Sequence, residues 1–283
     1  MPRFYLDAWA INNQIWCKSE EKIFLAALEN VANIRDFYRL KPISQKVHEL
    51  IEHYVGLIQE PLRENVRELM NTLSSICNIY ENQRIRDGRD KFTEEEDIYI
   101  NNVLENFYSH IEGMAAPCLY ELQRGKVEFY NDLKKSLSFL LFLCMQFNRT
   151  EKVKRNVYSL VPQHFHDGYP IVSIAIAFWL SSKMYTEEWM ITILQNKADE
   201  VFITGDQPVI NLNKPKSMDE EYEEMILYYP ISPKYAILLS KGYGRRVLTI
   251  QVSTEAVTFY NNLIYSNSYR SIYSIDKDSL ARF

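Results

Sequence analysis

Residues 44 to 150 repeat their apolar side chains with the spacing of an α-helix, and no other feature constrains the fold as strongly. Val47, Leu50, Ile51 and Tyr54 follow the i, i+3, i+4, i+7 spacing of one buried helix face. Eight Gly and ten Pro are low counts for 283 residues, which also favours helices over turn-rich β structure. The pattern predicts about three or four long helices in this region.

Turn and cap residues place the ends of these helices. Pro61 is tolerated in a first turn, so it predicts the start of a second helix. Residues 81–91 are polar and predict a loop or an exposed helix end. Residues 93–96 (Thr-Glu-Glu-Glu) form a capping box that starts the next helix. We expect residues 113–117, with Gly and Pro, to kink or end it, and residues 131–149 to form a largely buried helix.

Both ends of the chain carry β-type patterns instead. Residues 14–17 and 22–24 flank a polar turn and predict a hairpin. Residues 226–230, 235–239 and 246–252 predict further strands. Ser253 then caps a last helix.

These patterns predict an α+β fold. It has a helical middle (about 44–150) and a small mixed β-sheet, formed by the C-terminal third and the N-terminal hairpin. We interpret residues 1–283 as a single domain. Its sub-regions are 1–43 (hairpin and connector), 44–160 (helical) and 161–283 (α/β).

Composition excludes several classes of protein. The net charge of −5 argues against a surface covered in phosphate-binding cations, although a local basic patch remains compatible with it. The four cysteines lie far apart, which is poor spacing for zinc or a disulfide framework and favours reduced, cytoplasmic thiols. The longest apolar run, 137–147, is shorter than the roughly 20 residues that span a bilayer, so we expect no membrane segment. No nucleophile elbow, phosphate-binding loop or dinucleotide fingerprint occurs.

Three polar residues are the main candidates for a site. Asp206 follows a predicted strand in a Gly-Asp turn, where its carboxylate binds a divalent cation, acts as a general base, or caps its own turn. Glu112 is a candidate second carboxylate of the site, or the partner of a buried Arg149. Arg149 ends a long helix, where it neutralises the helix dipole or clamps a phosphate.

Histidines and basic residues add further candidates. His164 and His166 stand at i and i+2, so on a strand their side chains would point the same way. They are then candidates to join Asp206 and Glu112 as ligands of Mg²⁺ or Mn²⁺. The alternative is that both lie in a solvated loop. Four cations are candidates for binding a nucleic-acid backbone, with solvated charge as the alternative: Lys152, Arg155, Arg245 and Arg246.

Several short boxes occur in a defined order. They are Pro2-Arg3-Phe4-Tyr5-Leu6 with Trp9, Ile15-Trp16, Lys22-Ile23-Phe24, residues 33–38, Ile111-Glu112, Gln146-Phe147-Asn148-Arg149-Thr150, residues 202–209, and Tyr229-Pro230-Ile231-Ser232-Pro233. Together they resemble the bacterial domain of unknown function 4238 family over nearly the whole chain. The resemblance implies a bacterial cytosolic protein with a part in antiphage defence, and no established reaction. Family members usually carry His-Tyr before an opening Val-Pro; here Met1 stands where the Val would be, which puts any role of that His in doubt.

Two functions of different classes fit these residues. The first is a hydrolase, with or without the assistance of a metal ion, that acts on nucleic acid or a nucleotide through Asp206, Glu112 and Arg149. The second is a non-catalytic binding or effector module that recognises a protein partner or a small ligand. In the second case the boxes are folding signals: Pro208 fixes a strand end and Asp206 caps a turn.

Overall fold

The computed structural model describes residues 2–20, 22–31, 39–213, 224–242, 244 and 246–283. Within them the α-helices are α1 (Arg3–Leu6), α2 (Gln45–Gly56), α3 (Leu62–Arg86), α4 (Glu94–Leu122), α5 (Leu133–Asn148), α6 (Glu151–Leu160), α7 (Tyr169–Thr186), α8 (Thr254–Asn267) and α9 (Asp278–Ala281). The strands are β1 (Gln14–Ser19), β2 (Lys22–Ala27), β3 (Met190–Asn196), β4 (Thr204–Gly205), β5 (Ile210–Asn211), β6 (Ile226–Ser232), β7 (Tyr235–Ser240), β8 (Val247–Val252) and β9 (Ser271–Ser274). The predicted α+β class, helical middle and N-terminal hairpin are confirmed.

Side-chain caps start the helices where the sequence predicts them. The Ser44 hydroxyl accepts from the backbone N–H of Val47 at the start of α2. Thr93 and Glu96 form the predicted capping box of α4. Such caps satisfy backbone donors that a helix leaves unpaired in its first turn.

One helix runs further than its local signals indicate. Helix α3 ends at Arg86, inside the polar stretch 81–91, so the exposed helix end is the alternative that the structure has there. Helix α4 continues past Gly113 and Pro117 to Leu122, so of the two expectations for residues 113–117, a kink or an end, the end was wrong. Ala115 and Leu119 are fully buried on either side of Pro117. Burial of this face therefore outweighs the hydrogen bond that a proline removes.

The strands form two sheets rather than one. The first has the order β2-β1-β9-β4 and is antiparallel throughout. The second has the order β5-β6-β7-β3-β8, antiparallel except for the parallel pair β3 and β8. The N-terminal hairpin thus belongs to the first sheet, where β9, near the end of the chain, pairs with β1.

Helices α5 and α7 lie in the middle of the main hydrophobic core. Leu140, Leu143 and Cys144 of α5 and Ala175 and Ala177 of α7 are fully buried. This confirms the prediction that residues 131–149 contain a largely buried helix. Among the described residues, no helix is both long and apolar enough to cross a membrane.

Candidate functional site

A cavity of about 580 Å³ lies where α4, α5, the first sheet and the turn between α8 and β9 meet. Glu112 of α4, Arg149 at the end of α5 and Asp206 just after β4 all line it. Three residues that stand far apart in the chain therefore share one cavity, as the sequence analysis proposed. Its volume lies in the roughly 300–1,000 Å³ range of small-ligand sites.

Arg149 is the most buried charged group of this cavity. It is the residue that ends α5, and its side chain is only 6% exposed. Its Nη2 donates to the Glu112 carboxylate, and its guanidinium lies 4.9 Å from the ring centre of Tyr108. The ion pair named as an alternative in the sequence analysis is thus present, and it forms part of the cavity wall.

Two further polar residues of the Gln146–Thr150 box, Gln146 and Thr150, also line the cavity. Gln146 is 1% exposed, and its side-chain Nε2 has no hydrogen-bond partner among the residues that the structure describes. The Thr150 hydroxyl donates to Oε1 of Gln207, and its oxygen caps α6 by accepting from the N–H of Val153. The box therefore ties the junction of α5 and α6 to the segment that carries Asp206.

Asp206 holds a turn that lies far along the chain. Its carboxylate accepts the backbone N–H groups of Tyr269 (2.7 Å), Arg270 (2.7 Å) and Ser271 (3.2 Å). Burial raises the pKa of Asp206 above its ordinary value, although these three N–H groups and the nearby Lys152 oppose the rise. The carboxylate does cap a turn, but the turn between α8 and β9 rather than its own.

Tyr269 and Arg270 also line the cavity, and no sequence pattern marked either of them as a candidate. They reach it because β9 pairs with β1, with Cys17 opposite Tyr273, and with β4. No local pattern signals a pairing between residues about 250 positions apart.

The predicted basic residues lie in two different places. Lys152 and Arg155 are on α6, whose first residue, Glu151, lines the cavity. Arg246 precedes β8 in the second sheet, where its carbonyl accepts from Ile191, and it does not line the cavity. Arg245 lies outside the described residues, as do residues 33–38 of the family boxes.

His164 and His166 do not line the cavity either. Gln163–Phe165 form a 3₁₀ helix, so the strand geometry considered for these histidines was wrong. The His166 ring stacks on Tyr158 at 4.0 Å, with its Nε2 3.1 Å from the Tyr158 carbonyl oxygen. In the part of the chain that the structure describes, no three His, Cys, Asp or Glu side chains are grouped so as to hold a metal ion.

Comparisons with known proteins give one match. Residues 1–169 and 172–278 match the family described as "Protein of unknown function (DUF4238)". No curated protein matches the chain. No solved structure matches it either.

Proposed function

This chain belongs to the DUF4238 family, and on that premise we propose that its cavity is the active site of a hydrolase that acts on a phosphate ester of a nucleotide or nucleic acid. The observation that carries the proposal is that Asp206, Glu112 and Arg149 line one cavity of about 580 Å³. A carboxylate and a guanidinium that line the same cavity are groups that phosphate-ester hydrolysis can use as a general base and a phosphate-binding group.

Arg149 is the proposed phosphate-binding group. A guanidinium matches the geometry of phosphate oxygens better than other cations do. Glu112 and the Tyr108 ring hold it in place from two sides. A group that is already held loses little freedom when the substrate binds, so its interaction with the transition state is stronger.

Asp206 is the proposed general base. Burial raises its pKa, and a base is most effective when its pKa is closer to the working pH. In the proposed step, Asp206 takes a proton from water as the water oxygen forms a bond to phosphorus. The bond from phosphorus to the ester oxygen breaks, and that oxygen leaves with the electron pair and takes a proton from solvent water. Mg²⁺ usually binds through one or two carboxylates together with substrate phosphates, so a cation that arrives with the substrate fits Asp206 and Glu112.

The buried side chain of Gln146 is a further argument that a ligand binds in this cavity. Buried polar groups in folded proteins nearly always have a hydrogen-bond partner, and exceptions often mark a missing water or ligand. The Nε2 of Gln146, a residue that lines the cavity, is buried and has no such partner in the described part of the chain. We assign it to a ligand oxygen next to the phosphate held by Arg149. The proposed setting is the bacterial cytoplasm and defence against phage, for which the support is the family resemblance.

A second candidate is a binding module that uses the same cavity without chemistry. Both carboxylate oxygens of Asp206 accept backbone N–H groups. This favours a structural role for Asp206, which would fix Tyr269 and Arg270 at the cavity for a partner or small ligand.

The test is hydrolysis by purified protein, with and without Mg²⁺ or Mn²⁺, on DNA, RNA, tRNA and nucleotides. We expect cleavage by the natural protein, and a loss of about 100-fold or more in Asp206→Asn and Arg149→Lys. Glu96→Gln is the control, because Glu96 lies on the same helix as Glu112, also pairs with an arginine (Arg89), and does not line the cavity.

The outcomes separate the two candidates, once thermal melts show that each variant is folded. Cleavage that persists in both Asp206→Asn and Arg149→Lys would contradict the proposed active site. No cleavage of any substrate, together with nucleotide binding that Arg149→Lys weakens, would support the binding module instead.

A further inference from the structure

A ridge of positive charge borders the mouth of the cavity, although the chain as a whole carries a net charge of −5. We call it the α6 ridge and define it as Lys152, Lys154, Arg155 and Arg270. The first three lie on α6, which begins at the cavity, and Arg270 lines the cavity itself. Cations thus lie beside the cavity that Asp206, Glu112 and Arg149 line.

Two guanidinium groups of the ridge are held by one ring. Arg155 lies 4.8 Å and Arg270 5.4 Å from the centre of the Tyr269 ring. Arg155 also donates through Nε to Glu151 at 2.6 Å, yet its side chain remains 54% exposed. Arginines held by aromatic and carboxylate contacts, with the rest of the side chain in water, are preorganised for phosphate.

The two lysines of the ridge interact electrostatically with charged groups around them. Burial lowers the pKa of Lys154, and Lys41 and Arg155 lower it further, against the opposing effect of Glu151. Lys152 lies near enough to Asp206 to oppose the rise in its pKa. Lys152 therefore acts electrostatically on a carboxylate that lines the cavity, and Arg155 acts on Lys154 along the same helix.

We infer that the α6 ridge binds the phosphate backbone of a single-stranded nucleic acid whose terminal nucleotide occupies the cavity. This inference rests on the proposed function and narrows its substrate to a polynucleotide. The cavity has room for one small ligand, so the rest of the strand lies outside it, along the ridge. A single strand can present a separated terminal nucleotide, whereas a duplex end keeps its bases paired and stacked.

The experiment measures binding rather than cleavage, in EDTA, by fluorescence anisotropy. The probes are labelled single-stranded RNA and DNA of one sequence and about 12 nucleotides, a length within the site sizes of single-strand-binding proteins, together with the corresponding duplex. Salt is varied from about 50 to about 200 mM, because each neutralised phosphate adds about −0.7 to the slope of log K against log salt for a single strand. We expect a slope of about −2 or steeper for a single strand and weaker binding of the duplex.

Variants then locate the contacts. We expect Arg155→Ala to make the slope shallower by about 0.7. We expect Tyr269→Leu to weaken binding about fivefold or more, and Tyr269→Phe, which keeps the ring, to restore it. Arg86→Ala is the charge-matched control, since Arg86 ends α3 and lies outside both ridge and cavity.

The result does not depend on whether hydrolysis occurs. A slope that Arg155→Ala leaves unchanged, or equal affinity for duplex and single strand, would overturn the inference even if nucleotides are hydrolysed. The expected slopes without any cleavage would support the ridge while the proposed hydrolase fails. The RNA and DNA probes show which sugar the site prefers.

Discussion

At the scale of single residues, the Glu112–Arg149 pair has both a structural and a functional interpretation. The two side chains are 18% and 6% exposed, so removing one partner leaves the other charge largely desolvated. We predict that Glu112→Met destabilises the protein by about 3 kcal/mol. The double variant Glu112→Met/Arg149→Met should lose less than this single variant, because the desolvated Arg149 charge is removed together with its carboxylate partner.

Urea unfolding of the two single variants and the double variant measures this coupling. A double variant that loses the sum of the two single effects would show that the pair contributes no coupling energy. If the double variant is folded and stable but lacks cleavage and binding, the pair is retained for the site rather than for the fold.

At the scale of secondary-structure elements, the start of α4 gives a pH-dependent prediction. Arg89, followed by the backbone N–H of Thr93, lowers the pKa of Glu96 from 4.5 to about 2. A carboxyl whose pKa is lowered by folding stabilises the fold above its unfolded pKa, and this contribution is lost as pH falls towards the folded value. The advantage of the natural protein over Glu96→Gln should therefore be full near pH 6 and shrink between pH about 4.5 and about 2.

Urea midpoints of the two proteins from about pH 6 to about pH 3 test this, within the range where carboxyl groups titrate. Glu95→Gln is the matched control, since Glu95 is an exposed neighbour in the same turn and bonds neither Arg89 nor Thr93. An advantage over Glu96→Gln that stays constant with pH would mean that the pair with Arg89 does not form in solution.

The same elements show what the sequence could and could not predict. Helix starts at Ser44, Thr93 and Ser253 were predicted correctly, because a cap acts within three residues of its own position. The continuation of α4 through Pro117 was not, because burial against distant segments decides it. Asp206 was found as a site candidate from its turn, whereas Arg270 reaches the cavity only through the pairing of β9 with β1, which no local pattern reports.

At the scale of the whole molecule, the first sheet pairs strands from near the two ends of the chain and lines one side of the cavity. Strand β4 pairs with β9, with Gly205 opposite Ile272. A Cβ atom on Gly205 would collide with the Ser268 hydroxyl and lie 3.2 Å from the Ser268 Cβ and 3.3 Å from the Ser271 carbonyl oxygen. Close packing at Gly205 is therefore a condition for the pairing that brings Tyr269 and Arg270 to the cavity.

We predict that Gly205→Ala destabilises the protein by about 1–3 kcal/mol, the usual cost of overpacking, and weakens nucleotide or oligonucleotide binding with it. Ser268→Ala removes the colliding hydroxyl, so Gly205→Ala/Ser268→Ala should recover part of both losses. Gly113→Ala is the control, because no atom lies within 4 Å of its added Cβ and alanine favours the helix. Urea unfolding and ligand titration of the four variants measure both effects. A full loss of binding with unchanged stability in Gly205→Ala would contradict this prediction. It would show that the contact between Gly205 and Ser268 affects the site alone and not the pairing of β4 with β9.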